Sequence, residues 1–98
     1  MARTSIRQII RSGALTEHRL RSGSSIVLLV LADHANVDNE AWPSQETLAR
    51  EAGMSEPGVR KAIRPLIEKG LVEILDAGGP RRSARYRLTI QPYLRATG

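Results

Sequence analysis

The side chains best suited to chemistry in this sequence are cationic and fall in two clusters. Arg60, Lys61 and Arg64 lie within one short stretch, and Arg81, Arg82, Arg85 and Arg87 follow in another. Guanidinium and ammonium groups so grouped neutralise phosphates, and both can donate to the O6 and N7 edge of guanine. Ser44, Gln45, Thr47 and Ser55 precede them as polar candidates for the same site. Other chemistries lack their residues. The absence of cysteine removes disulfides, thiolate metal sites and a thiol nucleophile. The two histidines cannot alone close a structural zinc site. Asp33, His34, Asp38 and Glu40 lack the tight-turn glycine and ligand spacing of a calcium loop, and read as a polar turn with His34 near a helix C-terminus. His18 reads as solvated. With no phosphate-cradling glycine loop, carboxylate pair or nucleophile–base pair, no catalytic residue, metal or cofactor is expected, and the chain reads as a binding protein.

A polyanion is the natural partner. The 98 residues carry 15 Lys/Arg against 10 Asp/Glu, a net charge of +5. The excess is uneven: residues 1–23 are net +4, residues 24–52 net −4 and residues 53–98 net +5. A polyanion should therefore meet the two ends and not the acidic middle. Length permits one hydrophobic core, and with 41% hydrophobic but only 3% aromatic residues that core must be aliphatic. The longest apolar run, Ile26 to Ala32, is far short of a membrane span, and no signal peptide is evident. A cytoplasmic location, no membrane partner and no small-molecule substrate are the expectation.

The elements that must position the cations can be read from periodicity. Residues 4–12 place Ile6, Ile9 and Ile10 at helical spacing with arginines elsewhere, and Gly13 can end that helix or binding-ordered arm. Ser22-Gly23-Ser24-Ser25 reads as a hinge whose serines can cap a buried helix running from Ile26 to near Asn36. Residues 37–43 read as a turn in which Trp42 plugs the core. Ser44 caps a short helix with Leu48, Ala49 and Ala52 inward; Gly53 breaks it, and Ser55 caps the next, with Pro57 harmless in its first turn. Val59, Ala62, Ile63, Leu66 and Ile67 form one apolar stripe, which turns Pro57, Arg60, Lys61 and Arg64 outward; Gly70 stops the helix. Residues 71–75 and 85–90 read as strands around a Gly78-Gly79-Pro80 tip, with Tyr86, Leu88 and Ile90 on one face and Arg85 and Arg87 on the other.

Residues 45–64 thus carry the marks of a helix-turn-helix. Gly53 supplies the left-handed turn residue, Ala49 the small residue where two helices approach, and Leu48, Ala52, Met54, Val59 and Ala62 a shared apolar seam. A second helix with a cationic outer face suits a DNA major groove. The basic hairpin after it reads as a wing, with Arg81 and Arg82 at a tip that can reach phosphates or the minor groove.

These stretches resemble the winged helix-turn-helix domains of phage and plasmid proteins, including replication initiators. The resemblance is carried by Leu31-Ala32-Asp33-His34-Ala35-Asn36, Trp42-Pro43-Ser44-Gln45-Glu46-Thr47-Leu48-Ala49, Gly53-Met54-Ser55, Val59-Arg60-Lys61-Ala62-Ile63 and Leu66-Ile67-Glu68-Lys69-Gly70-Leu71-Val72. It implies a three-helix core with a two-stranded wing, sequence-specific DNA binding, and an approach of Ser44, Gln45 and Thr47 to the DNA backbone. The chain departs from the family pattern at Glu56-Pro57-Gly58, where a polar, often basic start is usual, which implies few base contacts there. It departs again at Pro65, which removes a hydrogen bond to Lys61 and predicts a kink.

The expected fold is therefore α+β, a winged helix-turn-helix with a basic N-terminal extension. Residues 1–23 form an arm or short helix, 24–92 the DNA-binding domain and 93–98 a tail. The expected function is sequence-specific binding of double-stranded DNA by a small repressor-like transcriptional regulator. The alternatives are a replication, partition or recombination accessory protein, or a protein–protein adaptor. A homodimer would pair through Ile6, Ile9 and Ile10 or through Tyr93 and Leu94.

Overall fold

The computed structural model describes residues 5–90. Its centre is α3 (Ser22–His34), a helix with an apolar middle from Ile26 to Ala32 whose Val27, Leu28 and Leu31 are inaccessible to solvent. α4 (Gln45–Ala52) and α5 (Glu56–Glu68) pack against it with Leu48, Val59 and Leu66, completing a three-helix core. Two short helices precede α3: α1 (Ile6–Ser12), opened by a Ser5–Gln8 capping box and closed by Gly13 at φ +78°, and α2 (Ala14–Glu17). Of the stretch expected as an arm or short helix, Ile6–Ser12 and Ala14–Glu17 are helical, residues 1–4 lie outside the described residues, and Ile9, at 0% exposure, belongs to the core.

The sheet has strand order β1-β3-β2, from β1 (Glu40–Ala41), β2 (Val72–Asp76) and β3 (Arg85–Leu88), all antiparallel. β2 and β3 are the wing. Alternation along β3 drives Tyr86 and Leu88 into the core and leaves Arg85 and Arg87 outside. The ladder is irregular between Ile74 and Asp76, at the base of the tip.

Local chemistry explains the boundaries. Ser44 Oγ accepts from the Thr47 N–H at 3.0 Å, and Ser55 Oγ accepts from the Gly58 N–H at 3.1 Å, capping α4 and α5. At Gly53, φ +70°, the Met54 N–H reaches the Ala49 carbonyl at 2.9 Å, closing α4 in a left-handed turn. α5 runs as one helix through Pro65.

Four expectations need correction. Ser22–Ser25 is no hinge: it is the first turn of α3, where Ser24 Oγ donates to the Ala62 carbonyl at 2.8 Å and fastens α3 to α5. At Gly23 a Cβ would meet Met54 Cε at 3.6 Å and Ala62 Cβ at 3.9 Å, ordinary contacts. Trp42 does not plug the core; it is 54% exposed, and the neighbouring Ala41 and Pro43 are buried in its place. Residues 40–41 are a strand and not a turn: Asn36 Oδ1 accepts from the Asp38 and Glu40 N–H groups, folding the chain back so that Glu40 pairs with Arg87. His18 is half-buried, not solvated.

Candidate nucleic-acid interface

The start of α4, the start of α5 and the wing tip enclose an open cleft of about 590 Å³. Ser44 and Gln45 line it from α4, Glu56 and Arg60 from α5, and Arg81 and Arg82 from the wing, with Tyr86 beneath. A second groove of about 270 Å³ adjoins it along α5, sharing Gln45, Arg60 and Tyr86 and adding Arg64 beside Ile63, Ile67 and Ile74.

Each wall is held by an identifiable bond. The Ser44 hydroxyl both caps α4 and donates to Thr47 Oγ1 at 2.9 Å, so these two side chains are fixed as a pair. Gln45 Nε2 donates to the Tyr86 hydroxyl at 3.2 Å, tying the first residue of α4 to the middle of β3. Gln45 Oε1 is buried without a hydrogen-bond partner among the described residues. Burial pushes the Tyr86 phenol above its ordinary value, and the Gln45 hydrogen bond works in the opposite direction.

The wing tip is similarly built. The Gly79 N–H bonds the Arg82 carbonyl at 2.9 Å and the Arg82 N–H returns to Gly79 at 3.2 Å, leaving Pro80 and Arg81 at the apex. Gly78 has φ +77°, and a Cβ there would fall 2.7 Å from the Ala84 nitrogen and the Arg82 oxygen, so only glycine fits. Asp76 Oδ1 accepts from the Gly78 N–H at 2.8 Å and from Arg82 at 3.1 Å. The Gly78 hydrogen bond first, then Arg82 and Arg85, hold this carboxyl below its usual range despite an opposing desolvation effect.

Of the candidate residues, the cleft brings together Ser44, Gln45, Arg60, Arg81 and Arg82, and the adjoining groove adds Arg64. Pro57 and Lys61 are exposed on α5 but line neither. Thr47 and Ser55 serve the helix caps, and Ser55 is exposed beside the cleft-lining Glu56. Arg85 and Arg87 lie on the outer face of the sheet. There Arg87 donates to Glu40 at 3.1 Å and to Glu73 at 3.4 Å, so its charge is met by two carboxylates. Reading the sequence missed Tyr86 as a site residue, because alternation assigned it to the core, and Glu56, noticed only as a departure from a basic pattern.

A helix-turn-helix domain family matches residues 18–72, more than half of the chain. The chain belongs to the helix-turn-helix family, whose second helix is the element presented to a DNA major groove. No match is found among curated proteins. Among solved structures, the chain is similar to a MarR-family transcriptional regulator from Silicibacter pomeroyi, with a TM-score of 0.57 and 21% identity over 93% of this chain. The chain spans 64% of that protein's length. The shared fold is the winged helix, with α4 and α5 as the helix-turn-helix and β2–β3 as the wing.

Proposed function

We propose that this chain is a sequence-specific regulator of transcription that binds double-stranded DNA, with α5 in the major groove. The observation that carries the reading is the convergence of Ser44, Gln45, Arg60, Arg81 and Arg82 from three separated parts of the chain on one cleft. A phosphate backbone running through that cleft would pass between the recognition helix and the wing tip. Arg64 and Lys61, three residues apart on the exposed side of α5, reach base edges. Arg60, Arg81 and Arg82 neutralise phosphates, with Asp76 releasing Arg82 to its phosphate. Anisotropy titration on duplex DNA at several salt concentrations tests this. A steep fall of affinity with salt, together with a sequence preference recovered from a random duplex library, is the expected result; a protein–protein adaptor would give neither.

The acting species in this reading is a homodimer joined through α1 and α3. The run Ile26 to Ala32 within α3 is apolar on every side and needs cover on every side, yet beyond α4 and α5 its outer side is only partly covered by α1. Ile26, 41% exposed, lines an apolar groove of about 330 Å³ with Ile6, Leu29 and Val30, and Ile10 on α1 is 56% exposed. Asp33 and Glu51 rim the groove, Glu51 with its Oε1 2.6 Å from His34 Nε2, and Arg7 and Arg11 lie exposed on α1. Ile9 is already consumed by the core, and Tyr93 and Leu94 lie outside the described residues. Sedimentation should show a dimer that Ile26→Glu dissociates without unfolding; a monomer at all concentrations contradicts it.

A further inference from the structure

We infer that Glu56 reads a base: its carboxylate accepts a hydrogen bond from the exocyclic amine of a cytosine in the major groove. This rests on the cleft being the DNA interface. Glu56 is the first residue of α5, exposed, and lines the same cleft as Arg60, Arg81 and Arg82. Its carboxylate forms no ion pair or hydrogen bond among the described residues, although Arg60 stands four residues on, the spacing at which a Glu–Arg pair forms on a helix.

The surrounding backbone keeps the phosphates of that cleft to the side of Arg60, Arg81 and Arg82, away from this helix start. Pro57 has no N–H, and the Gly58 N–H is taken by Ser55 Oγ at 3.1 Å, so two of the donors that would bind an anion at a helix N-terminus are absent or engaged. A carboxylate added to that position repels phosphate further. On duplex DNA, a carboxylate is accommodated where it faces a donor; the major groove offers cytosine N4 and adenine N6, and because adenine sets the acceptor N7 beside its amine, cytosine N4 is the donor that suits Glu56. Guanine offers only acceptors at its major-groove edge, so Glu56 disfavours it. Pro57 and Gly58 carry no long side chains that would hold a base away.

The experiment is selection from a random duplex library with the wild-type chain, Glu56→Ala and Glu56→Gln, each checked for an unchanged melting transition. The wild type should enrich a site with a cytosine that Glu56→Ala relaxes about fivefold or more. Glu56→Gln should move that column towards adenine, because glutamine pairs with the N6 and N7 edge of adenine. Glu56→Ala should also bind scrambled duplex more tightly than the wild type. A carboxylate that serves only the dipole of α5 would leave every column unchanged, and that result overturns the inference while leaving DNA binding intact. Failure of the wild-type chain to enrich any site would instead bring down the reading of the cleft, and this inference with it.

Discussion

Arg64 and Arg82 are the same residue type in different physical positions. Arg64 lies on a helix, exposed, beside the apolar Ile63, Ile67 and Ile74, where its fork is directed by rigid backbone. Arg82 lies next to the hairpin apex, in the bridge to Gly79, and its guanidinium is shared with Asp76. Arg64→Ala should therefore weaken a selected site by roughly 1–3 kcal/mol more than it weakens scrambled DNA, as read by paired titrations. Gln45 and Tyr86 hold the helix and the wing to one another, and Tyr86→Phe should cost on the order of 1 kcal/mol in a urea melt. The Tyr86 pKa is raised in the folded chain, so the stability it contributes is fully present below about pH 10 and is lost as pH rises through the raised value. Unfolding midpoints across that range should fall in the wild type and less steeply in Tyr86→Phe. Asp76 behaves oppositely: its folded pKa is depressed, so its support for the tip is present above the ordinary carboxyl range and lost as pH falls through the lower value.

At the scale of elements, the helix-turn-helix and the wing were legible because each boundary is carried by a residue with one physical use. Ser44 and Ser55 cap, Gly53 and Gly70 take left-handed backbone at φ +70° and +73°, and the Val59 stripe fixes which side of α5 faces out. The losses came where tertiary partners decide. Ser22–Ser25 looks like a linker in isolation, and only Ala62, distant in sequence, gives Ser24 a buried bond partner that favours helix. β1 is two residues long, too short for periodicity, and exists because β3 offers an edge to pair with. Trp42 looked like a core residue by type, but alternation through Ala41 and Pro43 leaves it outside. In the cleft, charge pattern reached Arg60, Arg81 and Arg82; it could not reach Glu56, whose sign is opposite, or Tyr86, whose hydroxyl works at the edge of the core. Gly78→Ala tests how the wing is built: a left-handed φ and a 2.7 Å backbone clash should cost about 1–3 kcal/mol and loosen the tip. NMR amide shifts should then move across residues 76–84 while α3 stays unchanged.

Across the described residues, the cationic cleft and the apolar α1–α3 groove share no lining residue, although α4 reaches both: its Ser44–Gln45 start lines the first with α5 and the wing, and its Glu51 the second with α1 and α3. α3 has sides in both arrangements, holding α5 through Ser24–Ala62 and exposing Ile26 to the groove. DNA affinity and self-association should then respond to separate substitutions. The measurement that tests the central claim most directly is the salt dependence of duplex binding for the wild type and for Arg60→Ala combined with Arg81→Ala and Arg82→Ala. If the cleft carries the phosphate backbone, each contact removed flattens the slope of log affinity against log salt by about 0.9, so the triple variant loses about 2.7. An unchanged slope in that variant, with its melting transition intact, would contradict the account.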